Sequence, residues 1–129
     1  MGFTLIELVT VIVIVAILVS LAVPSYRNHM LRIHRTEAIS ALFDLAACQE
    51  RVFAIQGRYD TTSCIPESLE HYRLRIEPAH ATQSLVYSAW ADPTGSQVSD
   101  QCGSLGLDQT GLRQASGQTS NINKCWNGR

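Results

Sequence analysis

The sequence predicts an α+β fold in which a long N-terminal helix packs by its second half on an antiparallel sheet of three to four strands. Three observations lead to this prediction. An apolar run occupies residues 3–23, an apolar stripe with helical spacing continues to Gly57, and the later chain alternates short strand-like segments with turn residues. Of the 129 residues, about 100 remain after the apolar run, which suits one small domain.

The apolar run reads FTLIELVTVIVIVAILVSLAV and contains a single charge, Glu7. At about 1.5 Å per residue it would measure roughly 31 Å, enough to cross a hydrocarbon core of about 30 Å. A signal peptide fits poorly, since its apolar region covers only about 7–15 residues and follows a basic segment. A generic anchor would not explain Glu7, because a lone charge in a span costs about 2.5–3.5 kcal/mol. We therefore predict a membrane-spanning helix whose glutamate needs a cation.

The helix is expected to kink at Pro24, because proline lacks a backbone N–H and clashes with the preceding turn. It should then resume and end near Gln56, since Gly57 is a good stop signal. Two apolar rows are expected to face the sheet: Leu31, Ala38, Leu45 and Val52, and then Ala41, Cys48 and Ile55. Six charged positions are expected to fall mostly off this stripe: Arg32, Arg35, Glu37, Asp44, Glu50 and Arg51.

The strands are predicted from alternation and turn signals. Residues 72–77 (YRLRIE) alternate apolar and charged side chains and end at Pro78. Residues 85–91 (LVYSAWA) are apolar on both faces, which predicts a more central strand. Leu105 and Leu107 precede a D-Q-T-G turn, which predicts a third strand, a hairpin and a short fourth strand. Residues 58–70 and 115–124 are predicted to be loops.

Four cysteines, Cys48, Cys64, Cys102 and Cys125, form an even set without a C-x-x-C pair. This pattern favours disulfides in an oxidising compartment over a zinc site. Of the three possible pairings, we expect the local one, Cys48 with Cys64 and Cys102 with Cys125. Cys48 lies on the sheet-facing row of the helix, and Cys64 lies on the loop that immediately leaves it. The second bridge would hold the polar residues 103–124, which bury too little to fold alone.

The N-terminal residues 2–8, GFTLIEL, resemble the processing motif of type IV pilins and related pseudopilins. The resemblance implies that a prepilin peptidase cuts between Gly2 and Phe3, that Phe3 is then N-methylated, and that the helix packs in the centre of a filament. The new ammonium of Phe3 would neutralise Glu7 of a neighbouring subunit. Such leaders usually carry Lys or Arg before the glycine, whereas only Met1 stands there, so the translation start is expected to lie upstream.

The resemblance extends to the rest of the chain. Pilins have an antiparallel sheet of about four strands and a disulfide-bounded C-terminal loop, and the tail, with CGSL, QTG and KCW, is most similar to PilE/ComP-type minor pilins. The implied organisation is a leader remnant at residues 1–2, a span at 3–23, and a periplasmic or extracellular globular domain at 24–129. The protein would lie in the inner membrane before assembly and in an extracellular pilus afterwards.

Enzyme signatures are missing from the sequence. There is no G-x-S-x-G elbow, no glycine-rich phosphate loop, and no H-E-x-x-H spacing among His29, His34, His71 and His80. His34 lies on the helical stripe, where an interface histidine is more common than a metal ligand. We therefore expect neither catalysis, nor a cofactor, nor a metal.

Three functions are compatible with the sequence. The first is a minor pilin that acts in pilus assembly, adhesion or twitching, with other pilin subunits, the inner-membrane assembly machinery and the prepilin peptidase as partners. The second is a DNA receptor, as ComP-type pilins are, with Lys124, Trp126 and Arg129 around Cys125 as contacts. The net charge of −1 argues against it, and Trp126 more often packs on a disulfide than on a base. The third is a type II secretion pseudopilin.

Overall fold

The computed structural model describes residues 2–60, 62, 64, 69–78, 85–118 and 121–127. Helix α1 spans Leu5–Gln56 and continues through Pro24. Four strands form one antiparallel sheet in chain order: β1 (Tyr72–Pro78), β2 (Tyr87–Pro93), β3 (Leu105–Asp108) and β4 (Arg113–Ala115). A 3-10 helix (Gly95–Ser99) follows β2, and a short helix α2 (Ile122–Asn127) follows β4. The predicted α+β fold and four-stranded sheet are confirmed.

Residues 33–129 form a compact unit with one hydrophobic core. The buried positions of β2 alternate, because successive side chains of a strand point to opposite faces. Its inward residues pack with those of β1 and β3 against Ala38, Leu42 and Leu45 of α1, which are at most 1% exposed. Burying one leucine of this kind contributes about 1.5–3 kcal/mol. The core therefore fixes the second half of α1 to the sheet.

The buried face of α1 is rotated from the predicted stripe. Ala38 and Leu45 are buried as expected, but the second buried row is Arg35, Leu42 and Gln49, and Ile55 is 79% exposed. The second buried row therefore lies three residues before the row of Ala38 and Leu45, and not three residues after it as predicted. The prediction was wrong because two members of the buried row, Arg35 and Gln49, are polar. Both have hydrogen-bond partners elsewhere in the fold, Asp100 for Arg35 and the Asp60 backbone for Gln49, which the apolar pattern of a helix does not reveal.

The helix ends as predicted. Gly57 adopts a φ of 70°, and its N–H donates to the Phe53 carbonyl at 2.7 Å, which closes the last turn. Gln49 then holds the chain that leaves the helix, since its Oε1 accepts the Asp60 N–H at 3.1 Å. The disulfide Cys48–Cys64 ties the same segment back to α1. The residues after the helix are thus anchored twice near its end.

Strand β2 begins and ends two residues later than predicted. Its partner explains the shift, because β1 pairs Pro78 with Tyr87 and Tyr72 with Pro93. Proline lacks the backbone N–H that a ladder needs, which is why Pro78 suits the end of β1 and not its interior. The predicted loop 115–124 is also partly wrong, since α2 begins within it. The carboxamide oxygen of Asn121 accepts the Lys124 N–H at 3.2 Å and starts this helix.

Candidate functional site

The N-terminal part of the chain presents an uncovered apolar surface. In the described residues, α1 is the one helix long and apolar enough to cross a membrane, and its apolar window has no buried residue. Phe3 is 89% exposed, and Glu7 is exposed without an ion pair among the described residues. The Glu7 N–H lies 3.4 Å from Thr4 Oγ1, at the start of the helix. Cleavage at Gly2, pairing of Glu7 and a kink at Pro24 stay predictions.

The C-terminal segment is closed by the disulfide Cys102–Cys125, with 5.6 Å between its Cα atoms. This disulfide and the second one, Cys48–Cys64, are the two pairings expected from the sequence. Within this segment the chain passes close to Cys102 again at Gly117, whose N–H donates to the Cys102 carbonyl at 3.0 Å. A Cβ on Gly117 would lie 2.0 Å from the Gln101 carbonyl oxygen, so only glycine fits this crossing.

A buried ion pair anchors both ends of this segment to α1. The guanidinium of Arg35 makes a bidentate contact with Asp100, with Nε at 2.9 Å from Oδ2 and Nη2 at 2.8 Å from Oδ1. Asp100 Oδ1 also accepts the Cys102 N–H at 3.1 Å, and Arg35 Nη1 donates to the Lys124 carbonyl at 3.3 Å. One pair of charges therefore holds Cys102 itself and Lys124, the residue before Cys125.

Gln97 of the 3-10 helix extends this hydrogen-bond network and is fully buried. Its Nε2 donates to Tyr72 Oη and to Asp100 Oδ2, both at 2.9 Å, and its Oε1 lies 3.2 Å from His34 Nδ1. The His34 ring stacks on His71 at 3.6 Å between centroids. His34 is thus an interface residue, as expected. The described residues contain no group of three or more side chains suited to hold a metal.

The buried tyrosines keep their protons near neutral pH. Burial raises the pKa of Tyr72 to about 12, although the hydrogen bond from Gln97 lowers it. Burial and the negative charge of Glu50 raise the pKa of Tyr87 to about 12 as well. A phenol with such a pKa is a poor acid or base at physiological pH. Tyr72 therefore takes part in the network as a neutral phenol.

An aromatic clamp holds Arg113, the first residue of β4. Its guanidinium carbon lies 5.8 Å from the Phe43 ring and 5.6 Å from the Trp126 ring. The two rings themselves meet edge to face at 6.0 Å. Trp126 is only 6% exposed, and its indole N–H donates to the Gln114 carbonyl at 3.0 Å. Arg113 is exposed, so the clamp orders a cation at the surface.

The end of the chain is basic and rich in carboxamides. Residues 109–129 contain three cations, Arg113, Lys124 and Arg129, and no Asp or Glu. Six Asn or Gln side chains accompany them in the described part of this stretch: Gln109, Gln114, Gln118, Asn121, Asn123 and Asn127. Amides and cations without carboxylates suit contacts with an anion that also carries hydrogen-bonding edges. A net charge summed over the whole chain conceals this local excess.

The outer face of the sheet offers a contrasting arrangement. Arg75 donates from Nε to Asp92 Oδ2 at 2.5 Å, pairs with Glu77, and lies 5.4 Å from the Trp90 ring centre. Burial alone would raise the pKa of Asp92, but hydrogen bonds from Arg75 and Ser104 lower it below its ordinary value. The donors of Arg75 are therefore used within the fold. This face is closer to neutral than the C-terminal segment.

The sequence located only part of this site. Lys124 is exposed on α2, as a contact residue must be, whereas Trp126 is a core residue whose ring is not free to stack on a base. Arg129 lies outside the described residues. Arg113 and Phe43 were not predicted as site residues, because they come together only in the fold, from distant positions of the chain. The one available signal was the absence of acidic residues after Asp108.

The apolar N-terminal helix, the antiparallel sheet on its second half and the disulfide-bounded end are the features of a type IV pilin. A family model described as type IV minor pilin ComP, DNA uptake sequence receptor, matches residues 24–106. The chain therefore belongs to this family of type IV minor pilins. As a pilin it has an N-terminal membrane-spanning helix, and it is a structural protein and not an enzyme. The match ends before the basic stretch at residues 109–129.

Individual relatives agree with this assignment. Two fimbrial proteins of Pseudomonas aeruginosa are 33% identical over 70 residues, a match that covers 54% of this chain and 45% of each relative. A type IV pilin structure from Shewanella oneidensis has a TM-score of 0.59 at 27% identity, and covers 71% of this chain and 96% of that one. The non-core minor pilin PilV of Neisseria meningitidis shares the fold, with a TM-score of 0.58 at 20% identity over 74% of this chain and 95% of its own.

Proposed function

We propose that this chain is a minor pilin that binds duplex DNA outside the cell, and that residues 109–129 form its contact surface. The observation that carries the proposal is the acid-free basic stretch on a disulfide-bounded segment, in a chain that matches a DNA receptor family. Phosphate contacts by Lys and Arg supply most of non-specific DNA affinity. Asn and Gln side chains add donors and acceptors for base edges.

The pilus provides the setting for this activity. The chain would be cut between Gly2 and Phe3 and anchored in the inner membrane by residues 3–23. The inner-membrane machinery would then assemble it with other pilin subunits. The amine of Phe3 would pair with Glu7 of a neighbour within the filament. The globular domain would then face the outside, where DNA is met. The match to a DNA receptor family favours this function over a role limited to assembly, adhesion or twitching, or to a type II secretion pseudopilus.

DNA binding is tested with the full chain in nanodiscs of zwitterionic phosphatidylcholine, which carry no net charge. The affinity for a 30-bp duplex is measured by fluorescence anisotropy over a range of NaCl concentrations. Two or three phosphate contacts predict a slope of log K against log salt of about −2 to −3. Lys124→Ala should reduce its magnitude by about 1. Arg73→Ala on β1 is the matched control and should leave the slope unchanged. A wild-type chain that does not bind duplex DNA at low salt contradicts the proposal.

A further inference from the structure

We propose that Arg113 is the side chain with which this surface reads a guanine base, while Lys124 contacts the phosphate backbone. This inference rests on the proposed DNA binding and adds a source of sequence preference to it. It assigns different tasks to the two cations because the fold holds them differently. Arg113 is clamped by aromatic rings, whereas Lys124 is exposed on a short helix.

Arg113 lies at the edge of the sheet. β4 is an edge strand of the four-stranded sheet, and Arg113 is its first residue, directly after the tight turn that joins β3 to β4 and opposite Leu107. An arginine exposed at the end of this hairpin can reach base edges in the major groove of B-DNA, where each base pair presents a distinct pattern of donors and acceptors. The turn is fixed by Asp108, whose Oδ1 accepts the N–H groups of Thr110 and Leu112 at 2.8 and 2.9 Å. The end of the hairpin is therefore an ordered support for Arg113.

The clamp orders the guanidinium without using most of its donors. The guanidinium carbon lies 5.8 Å from the Phe43 ring and 5.6 Å from the Trp126 ring, and such cation–π contacts restrict the side chain without using its N–H groups. One of them, on Nη1, approaches Asn127 Oδ1 at 3.5 Å. No carboxylate pairs with Arg113 among the described residues, whereas Arg35 and Arg75 are both paired. Arg113 thus offers an ordered fork of free donors at the surface.

An ordered fork matches guanine, which presents O6 and N7 side by side as acceptors. A lysine makes a point contact and is suited to a phosphate oxygen. Leu112, the residue before Arg113, is 58% exposed at the same end of the hairpin. It would make an apolar contact with a thymine methyl group. A phosphate could also accept two hydrogen bonds from Arg113. The experiment must therefore separate a base contact from a backbone contact.

The first experiment selects bound sequences from a randomised 20-bp duplex pool with the full chain in nanodiscs. The wild type should enrich a motif that contains at least one guanine. Arg113→Lys keeps the charge and loses the fork, so its preference at one guanine should fall roughly 5- to 150-fold while the salt slope stays the same. Arg73→Lys is the matched control and should retain the full motif. Lys124→Ala should lose about one unit of salt slope and keep the motif.

The second experiment changes the DNA and leaves the protein intact, so it does not depend on the folding of a variant. Guanine in the selected duplex is replaced by 7-deazaguanine, which lacks the N7 acceptor. The replacement should weaken binding of the wild type when it is made at one particular guanine. The same replacement should not weaken the binding of Arg113→Lys any further. Wild-type binding without any enriched motif, or a motif retained by Arg113→Lys, overturns the base contact and leaves DNA binding standing. Absence of all DNA binding overturns the proposed function itself.

Discussion

Arg35 and Asp100 determine the geometry of the C-terminal segment at the scale of single residues. Both are buried, and each would carry an uncompensated charge if the other were removed. Asp100 accepts the Cys102 N–H and Arg35 donates to the Lys124 carbonyl, so the two residues together hold both ends of the segment. The pair thus links a packing feature of α1 to the surface that we propose to bind DNA.

Asp100→Ala is expected to lower the free energy of unfolding by about 3–5 kcal/mol, because it leaves Arg35 buried without its partner. Guanidinium chloride unfolding of the full chain in detergent, followed by tryptophan fluorescence, measures the loss. Asp44→Ala, at an exposed position of α1, serves as the control and should change it by less than about 0.5 kcal/mol. A loss below about 1 kcal/mol for Asp100→Ala would show that the ion pair is not a main support.

Asp108 makes the hairpin turn sensitive to acid. Burial alone would raise its pKa, but hydrogen bonds from Thr110 and from the backbone of Leu112 and Gly111 lower it below the ordinary value of 3.8. A lowered folded pKa means that the stabilisation is complete above the unfolded value and is lost as the pH falls through the folded value. Asp108→Asn should therefore weaken the acid dependence below about pH 4 and cost about 1–2 kcal/mol at pH 7. Acid unfolding curves that match the wild type would contradict this.

Secondary-structure elements were predictable where one pattern decided them. The alternation of residues 72–77 and the glycine after α1 predicted β1 and the helix end, because each depends on local chemistry. The rotated face of α1 was not predictable, since Arg35 and Gln49 are buried only through partners at Asp100 and Asp60. The aromatic clamp escaped prediction for the same reason. It joins Phe43, Arg113 and Trp126 from three separate elements.

The disulfide Cys102–Cys125 should matter for ligand binding more than Cys48–Cys64 does. Closing a loop with a sequence separation of 23 residues stabilises the fold by roughly 3–4 kcal/mol in the chain-entropy model. Cys102→Ser with Cys125→Ser should lose most DNA affinity, because α2 and the clamp then lose their covalent link to the start of the segment. Cys48→Ser with Cys64→Ser is the control of similar loop size and should retain DNA binding at a temperature where both variants are folded. Equal losses in both variants would contradict a specific role.

The whole molecule combines a membrane-spanning helix with a globular domain, and Glu7 lies in the helix. Glu7→Ala should leave membrane insertion intact, since the apolar run becomes more apolar, but should impair entry into filaments because the proposed Phe3 amine would lose its partner. Immunoblots of sheared pili and of inner membranes measure both fractions. Thr10→Ala, on the same helix, is the control and should enter pili normally. Normal amounts of the Glu7→Ala chain in sheared pili would contradict the pairing.

The central claim is that DNA binds to the basic C-terminal stretch, residues 109–129, and not to positive charge in general. The most direct measurement compares two charge reversals of equal size in the full chain: Arg113→Glu with Lys124→Glu, and Arg58→Glu with Arg73→Glu, all at exposed positions. Both change the net charge by the same amount. The first pair should reduce duplex affinity by at least about a hundredfold at low salt, and the second by less than about tenfold. Equal losses, or a greater loss for the second pair, would contradict the account.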